Sequence, residues 1–166
     1  MPMIEDLAPL DTDDRLAIVH YLHDYSQQLG FPWAIQPIHL ALRDDQGKII
    51  GGLLGVFHWQ WLRIKILAVA PEYRGKGWGR RLMAEAERRA IEKGCEQAWV
   101  DTFSFQAPDF YRQLGYVLFG ELVDYPSGQN RLFFRKVLVE PGARPRGVQE
   151  RGVQTGSDHR GSESIK

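Results

Sequence analysis

Ile64-Lys-Ile-Leu-Ala-Val-Ala-Pro-Glu-Tyr-Arg-Gly-Lys-Gly-Trp-Gly-Arg-Arg-Leu82 is the stretch that decides the fold. It reads as a strand, a tight glycine loop and the start of a helix. Leu62, Ile64 and Ile66 alternate with Arg63 and Lys65, the period-two pattern of a strand with one buried face. The pattern turns all-apolar at Leu67-Ala68-Val69-Ala70, which predicts burial on both faces there, and Pro71 ends the strand. In the loop Arg74-Gly75-Lys76-Gly77-Trp78-Gly79, glycine occupies alternate positions. Glycines leave little side chain to obstruct a ligand and permit positive φ, so successive backbone N–H groups can converge on one point. A helix start adds free N–H groups and partial positive charge. The loop is therefore a candidate site for a phosphate or pyrophosphate.

The flanking elements follow from periodicity and breakers. Asp11-Thr12-Asp13-Asp14 marks a helix start, and Leu16, Val19, His20, Leu22, His23 and Leu29 recur at roughly helical spacing until Gly30 and Pro32. Ile38–Leu42 and Ile49–His58 read as a hairpin across Asp44-Asp45-Gln46-Gly47-Lys48, and a tight connection leads to Trp61–Val69. After the glycine loop a helix runs from about Trp78 to Lys93, with Leu82, Met83, Ala86 and Ala90 as its apolar stripe. Ala98–Phe103 is a further strand. A short helix at about Ala107–Leu114 follows, with Ser104 as its candidate cap and Pro108 in its first turn. Tyr116–Val123 and Arg131–Val139 form a closing hairpin.

The 166 residues read as one domain over 1–139. Beyond it, 140–166 is rich in Pro, Gly, Ser, Gln, Arg and Glu and reads as a disordered tail. The formal net charge of zero argues against a general nucleic-acid binder. The single cysteine, Cys95, excludes an intramolecular disulfide and fits a reducing compartment. No apolar run is long enough for a membrane span and no signal peptide is apparent, so a cytoplasmic protein is expected.

The loop is selective among phosphate ligands. A nucleoside-triphosphate loop needs Gly-Lys followed by Ser or Thr, and here Gly77 follows Lys76. A dinucleotide loop needs Gly-x-Gly-x-x-Gly, and the spacing here is Gly-x-Gly-x-Gly. What fits is Arg-x-x-Gly-x-Gly at Arg74, Gly77 and Gly79. With its strand before and helix after, this resembles motif A of the GNAT acetyltransferase superfamily. Ala107-Pro-Asp-Phe-Tyr111-Arg-Gln-Leu-Gly115-Tyr116 resembles that family's motif B, and the two stand in the family's order. The resemblance covers about 38–139.

It implies an α/β (α+β) fold: a mixed, mostly antiparallel sheet of six to seven strands flanked by helices, with two central strands splaying apart. It also implies acetyl-CoA as donor, no metal, and direct transfer of the acetyl group to a primary amine of a small molecule. A protein or peptide N-acetyltransferase and a non-catalytic acyl-CoA-binding module are the alternatives. Backbone groups of Leu67 and Val69 would pair with pantetheine, and Arg74, Gly75, Lys76, Gly77, Trp78, Gly79 and Arg80 would meet the pyrophosphate. The resemblance places the Tyr111 hydroxyl near the thioester sulfur. Asn is frequent in the family where this chain has Ser104, so Ser104 is a candidate pantetheine contact, with Gln106 as its substitute. Family members are often dimers, so a homodimer is allowed.

An amine acceptor also requires a proton acceptor. Asp101, Glu121, Asp124 and His58 are candidates near predicted strand ends, and water relays are the alternative. Trp33, Phe57, Trp59, Trp61 and Tyr125 are candidate linings for a flat or cationic amine.

Overall fold

A computed structural model describes residues 12–140 together with Ile4 and Asp6. Apart from Glu140, the tail read at 140–166 lies outside the described residues. The described chain runs α1 (Thr12–Gln28), β1 (Ile35–Arg43), β2 (Ile49–His58), β3 (Trp61–Val69), α2 (Trp78–Glu92), β4 (Gln97–Phe103), α3 (Pro108–Gln113), β5 (Val117–Leu122) and β6 (Arg131–Val137). Its strands form a six-stranded sheet in the order β1-β2-β3-β4-β6-β5. Every neighbouring pair is antiparallel except β3–β4, which the α2 crossover makes parallel.

One face of the sheet carries the core. Leu53, Leu62, Ile64, Ala98, Val100 and Phe134 are buried against Leu82, Met83, Ala86 and Ala90 of α2. The stripe predicted for α2 is thus its buried face. At the opposite edge of the sheet, the Tyr116 hydroxyl donates to Glu87 of α2 (3.0 Å) and Lys136 pairs with the same carboxylate (2.7 Å).

The other face is largely open. Strand β4 alternates, burying Ala98, Val100 and Thr102 and turning Trp99, Asp101 and Phe103 to this second face. Arg63 of β3 lies over the Trp99 ring at 4.5 Å, so it shares that face. Helix α1 is joined by His23, which stacks with ring centroids 4.7 Å apart, to Trp33 in the segment before β1. Its apolar residues Leu16, Val19 and Leu22, and Leu29 just beyond it, are exposed, so the helix follows the predicted spacing without the burial that spacing suggests.

The pairing of β3 with β4 is short. Trp61–Ile64 match Gln97–Val100, and no pair follows. The β2–β3 register slips where the strands part, because Gly55 opposes Ile64 while Leu54 opposes Ile66, leaving Lys65 as an extra residue. A bulge of this kind bends and twists its strand. It carries the end of β3 away from β4, which corrects one expectation. Ile66 is 53% exposed and Ala68 is exposed, so the apolar end of β3 is not buried on both faces. Its apolar character lines an opening between strands.

Candidate active site

The opening between β3 and β4 is a cleft of about 580 Å³. One wall is Ile64–Val69; the other is Val100–Thr102 with Phe105, Gln106 and Ala107. Arg74 and Tyr111 close one side. A second cavity, about 540 Å³, continues from it on the helix face. The two share Leu67, Val69, Arg74, Ala107 and Tyr111, and the second extends over Gly75, Gly77, Trp78, Gly79 and Arg80. The site is therefore a passage through the sheet, open towards α2 on one side and towards the second face on the other.

The glycine loop shapes the helix-side cavity in two ways. Gly75 and Gly77 have φ of +71° and +83°, a region that costs a residue with a Cβ about 1–2 kcal/mol. Gly77 is the N-cap of α2, with no side-chain cap bond and no acidic residue in the first turn. Among the described residues the first helical N–H groups thus have no side-chain cap, which suits them to phosphate oxygens. Gly79 matters for a different reason: a Cβ there would stand 3.3 Å from the Phe110 ring of α3. Of the predicted cations, Arg74 and Arg80 line the cavity, while Lys76 does not and instead donates to the Glu72 carbonyl (3.1 Å). The Arg74 Nε donates to the Val69 carbonyl at 2.8 Å.

Tyr111 sits where the two cavities meet. Its ring is clamped by Phe110, Tyr116 and Phe134, with centroids 5.2, 6.0 and 6.3 Å away, and the residue is 7% exposed. Its hydroxyl has no hydrogen-bond partner among the described residues, an arrangement that suits a group reserved for a ligand. Burial, with the Asp101 carboxylate as a second cause, pushes its pKa up to about 12. The phenol therefore keeps its proton at neutral pH and can act as a donor. Cys95 is buried, and burial pushes its thiol to about 11, so it makes a poor nucleophile.

Ser104 is placed away from the cleft. Its hydroxyl donates to Gln129 Oε1 (2.6 Å) and accepts from the Asn130 N–H (3.0 Å), tying the β4 end to the β5–β6 loop. Nor does it cap α3, whose N-cap is Ala107 without a side-chain bond. Gln106 lines the cleft instead, its Oε1 held by Phe103 N–H and the Thr102 hydroxyl at 3.0 and 3.1 Å. Among the proton-acceptor candidates only Asp101 lines the cleft. Glu121 accepts from Asn130 Nδ2, Asp124 accepts from the Gly128 N–H at the turn, and His58 lies on the second face beside Trp59. Phe57 is a core residue, 8% exposed, whereas Trp33, Trp59 and Trp61 gather on the second face. Among the described residues no group of three or more His, Cys, Asp or Glu could hold a metal ion.

The family model for the acetyltransferase (GNAT) family matches residues 5–116, more than half of the chain. The chain belongs to the GNAT acetyltransferase family. An acetyltransferase from Bacillus cereus superposes with a TM-score of 0.75 at 32% identity, covering 82% of this chain and 97% of that one. Blasticidin-S acetyltransferase of Streptomyces morookaense is 47% identical over 85 residues, which are 51% of this chain and 62% of that enzyme. This chain thus matches just under two thirds of that relative's length. A Bacillus anthracis protein assigned as a streptothricin acetyltransferase, solved with acetyl-coenzyme A, superposes with a TM-score of 0.50 at 26% identity, covering 55% of this chain and 57% of that one. The GNAT sheet with its parted central strands is the architecture described above. Among the described residues no helix is long and apolar enough to cross a membrane.

Proposed function

We propose that the protein transfers the acetyl group of acetyl-CoA directly to a primary amine of a small molecule, and that its acceptors are antibiotic-type amines. The observation that carries this reading is the unpartnered Tyr111 hydroxyl at the junction of two cavities, one led by a phosphate-binding helix start and one open on the opposite face. The names of the Streptomyces morookaense and Bacillus anthracis relatives support the choice of acceptor class.

The residues supply distinct parts of the chemistry. The N–H groups at the start of α2, with Arg74 and Arg80, hold the pyrophosphate. The edge of β3 at Leu67 and Val69, which has no strand partner on its β4 side, receives the pantetheine as an added strand. The amine nitrogen forms its bond to the thioester carbon as the carbon–sulfur bond breaks. The Val69 N–H stabilises the developing oxyanion. The ammonium gives one proton to water before the nitrogen attacks; the Tyr111 hydroxyl gives its proton to the departing thiolate and regains one from the acylated nitrogen, which loses its second proton as the amide forms. No covalent enzyme intermediate is required, consistent with the inert Cys95.

A panel of aliphatic, aromatic and antibiotic amines, assayed for thiol release with acetyl-CoA, tests this. Turnover with small amines and little with peptide N-termini is expected. Faster turnover of peptides, or coenzyme A binding without thiol release from any amine, overturns it.

A further inference from the structure

The second face of the sheet holds a groove of about 700 Å³ that the donor side does not use. Trp33, Trp59, Trp61 and Trp99 line it, with Phe119 and Phe133. Four of the chain's five tryptophans therefore stand in one place. The groove also holds two polar side chains whose buried nitrogens, Arg63 Nε and His58 Nε2, have no hydrogen-bond partner. Lys65, the bulged residue of β3, lines both this groove and the cleft between β3 and β4. The groove is thus continuous with the side of the passage from which an acceptor would enter.

At the junction stands Asp101, which faces the same side as Trp99 and pairs across the sheet with Phe133. Arg131 contacts it through Nε at 2.8 Å and a terminal nitrogen at 2.6 Å, and both contacts fall on Oδ2. The guanidinium is itself framed by the rings of Phe103, Tyr125 and Phe133. Oδ1 is left without a partner while Asp101 lines the cleft. A carboxylate oxygen fixed in this way accepts an N–H from a cation.

We infer that Asp101 anchors the acceptor's ammonium through Oδ1, and that the groove receives a flat ring carried by the same molecule. This rests on the amine-acetylating reading above and narrows its acceptor to a class: a primary amine joined by a few bonds to a planar ring. The indole rings lining the groove offer faces and edges for that ring to pack on. Asp101 positions the amine, and Arg131 positions Asp101.

Two probe amines test the inference on the full chain: 4-(aminomethyl)benzamide, with ring and carbonyl, and n-butylamine, with neither. Trp99→Ala should raise KM for the benzamide ten-fold or more and leave KM for n-butylamine within two-fold. Asp101→Asn should raise KM for both by ten-fold or more, with KM for acetyl-CoA unchanged. Because Asp101→Asn leaves Arg131 without its counter-ion, the charge-free pair Asp101→Asn/Arg131→Gln is measured beside it and should show the same rise. Asp101→Glu should recover part of the loss. Addition of the benzamide should quench tryptophan fluorescence in the wild type and much less in Trp99→Ala. Equal effects of Trp99→Ala on both amines overturn the groove, and a wild-type amine KM in the charge-free pair overturns the anchor. A wild-type protein that binds coenzyme A yet acetylates neither these amines nor any of the panel overturns the parent reading, and this one with it.

Discussion

Tyr111 shows what burial does to one side chain. Its position between Phe110, Tyr116 and Phe134 removes water from the ring and holds the residue where the two cavities meet. Tyr111→Phe keeps the packing and deletes the donor, so kcat should fall by about 100-fold while KM for acetyl-CoA stays within two-fold. An equal loss in both would reduce Tyr111 to a packing role. Its pKa, raised from an ordinary 10.0 to about 12, also has a thermodynamic consequence. The folded state holds this proton more tightly than the unfolded chain. The stability so conferred is complete below about pH 10 and is lost as pH climbs through about 12. Denaturant titrations should show stability declining over that window, and Tyr111→Phe should flatten part of the decline. Tyr116, raised by burial and by Glu87, and Cys95, raised by burial, also contribute to the decline.

Two elements carry the donor half of the site. The first is the start of α2, where Gly77 at φ +83° lets the chain turn into the helix. Gly77→Asp would combine backbone strain with a negative charge at the place proposed for the pyrophosphate. Coenzyme A affinity should drop at least ten-fold, about 1.4 kcal/mol, by isothermal titration. Retained affinity would move the phosphate elsewhere. The second is β3, half paired and half free: Trp61–Ile64 has a strand on both sides, and the segment beyond it faces a gap. Both elements are legible in the sequence. Glycine and proline punctuate the loop, and the Leu82, Met83, Ala86 and Ala90 stripe names the buried face of α2. What was not legible is the bulge at Lys65. A bulge depends on which residue of β2 opposes which residue of β3, and local alternation carries no record of that register. For the same reason Leu67-Ala68-Val69-Ala70 suggests burial on both faces, since an apolar run looks alike in a core and along an opening between strands.

At the scale of the whole molecule, α2 and the sheet form one core. Met83 is fully buried in it, so Met83→Ala should cost about 2–5 kcal/mol of unfolding free energy by urea titration. A loss below 1 kcal/mol would mean that the helix repacks freely. The order of elements, the six strands and the donor loop all follow from residues near one another in the chain, which is why they could be read without coordinates. The acceptor side gathers Asp101, Arg131, Trp33 and Trp99 from separate elements, and no local pattern announces that they converge. Ser104 makes the same point in reverse. Its place before motif B suggested a pantetheine contact, yet Gln129, 25 residues later, claims its hydroxyl.

The contact between Gly79 and Phe110 joins the two motifs across 30 intervening residues, and a Cβ at Gly79 would stand 3.3 Å from the ring, so the ring must give way slightly to admit it.

 Substitutions at these two places are consequently not independent in evolution or in engineering. A larger residue at Gly79 presses on the Phe110 ring, and a smaller residue at Phe110 relieves that pressure beside Tyr111. Variants built to accept a different acyl donor should therefore be designed as coupled pairs across the two motifs, because on the proposed mechanism altering the loop alone also disturbs the neighbourhood of the proton donor.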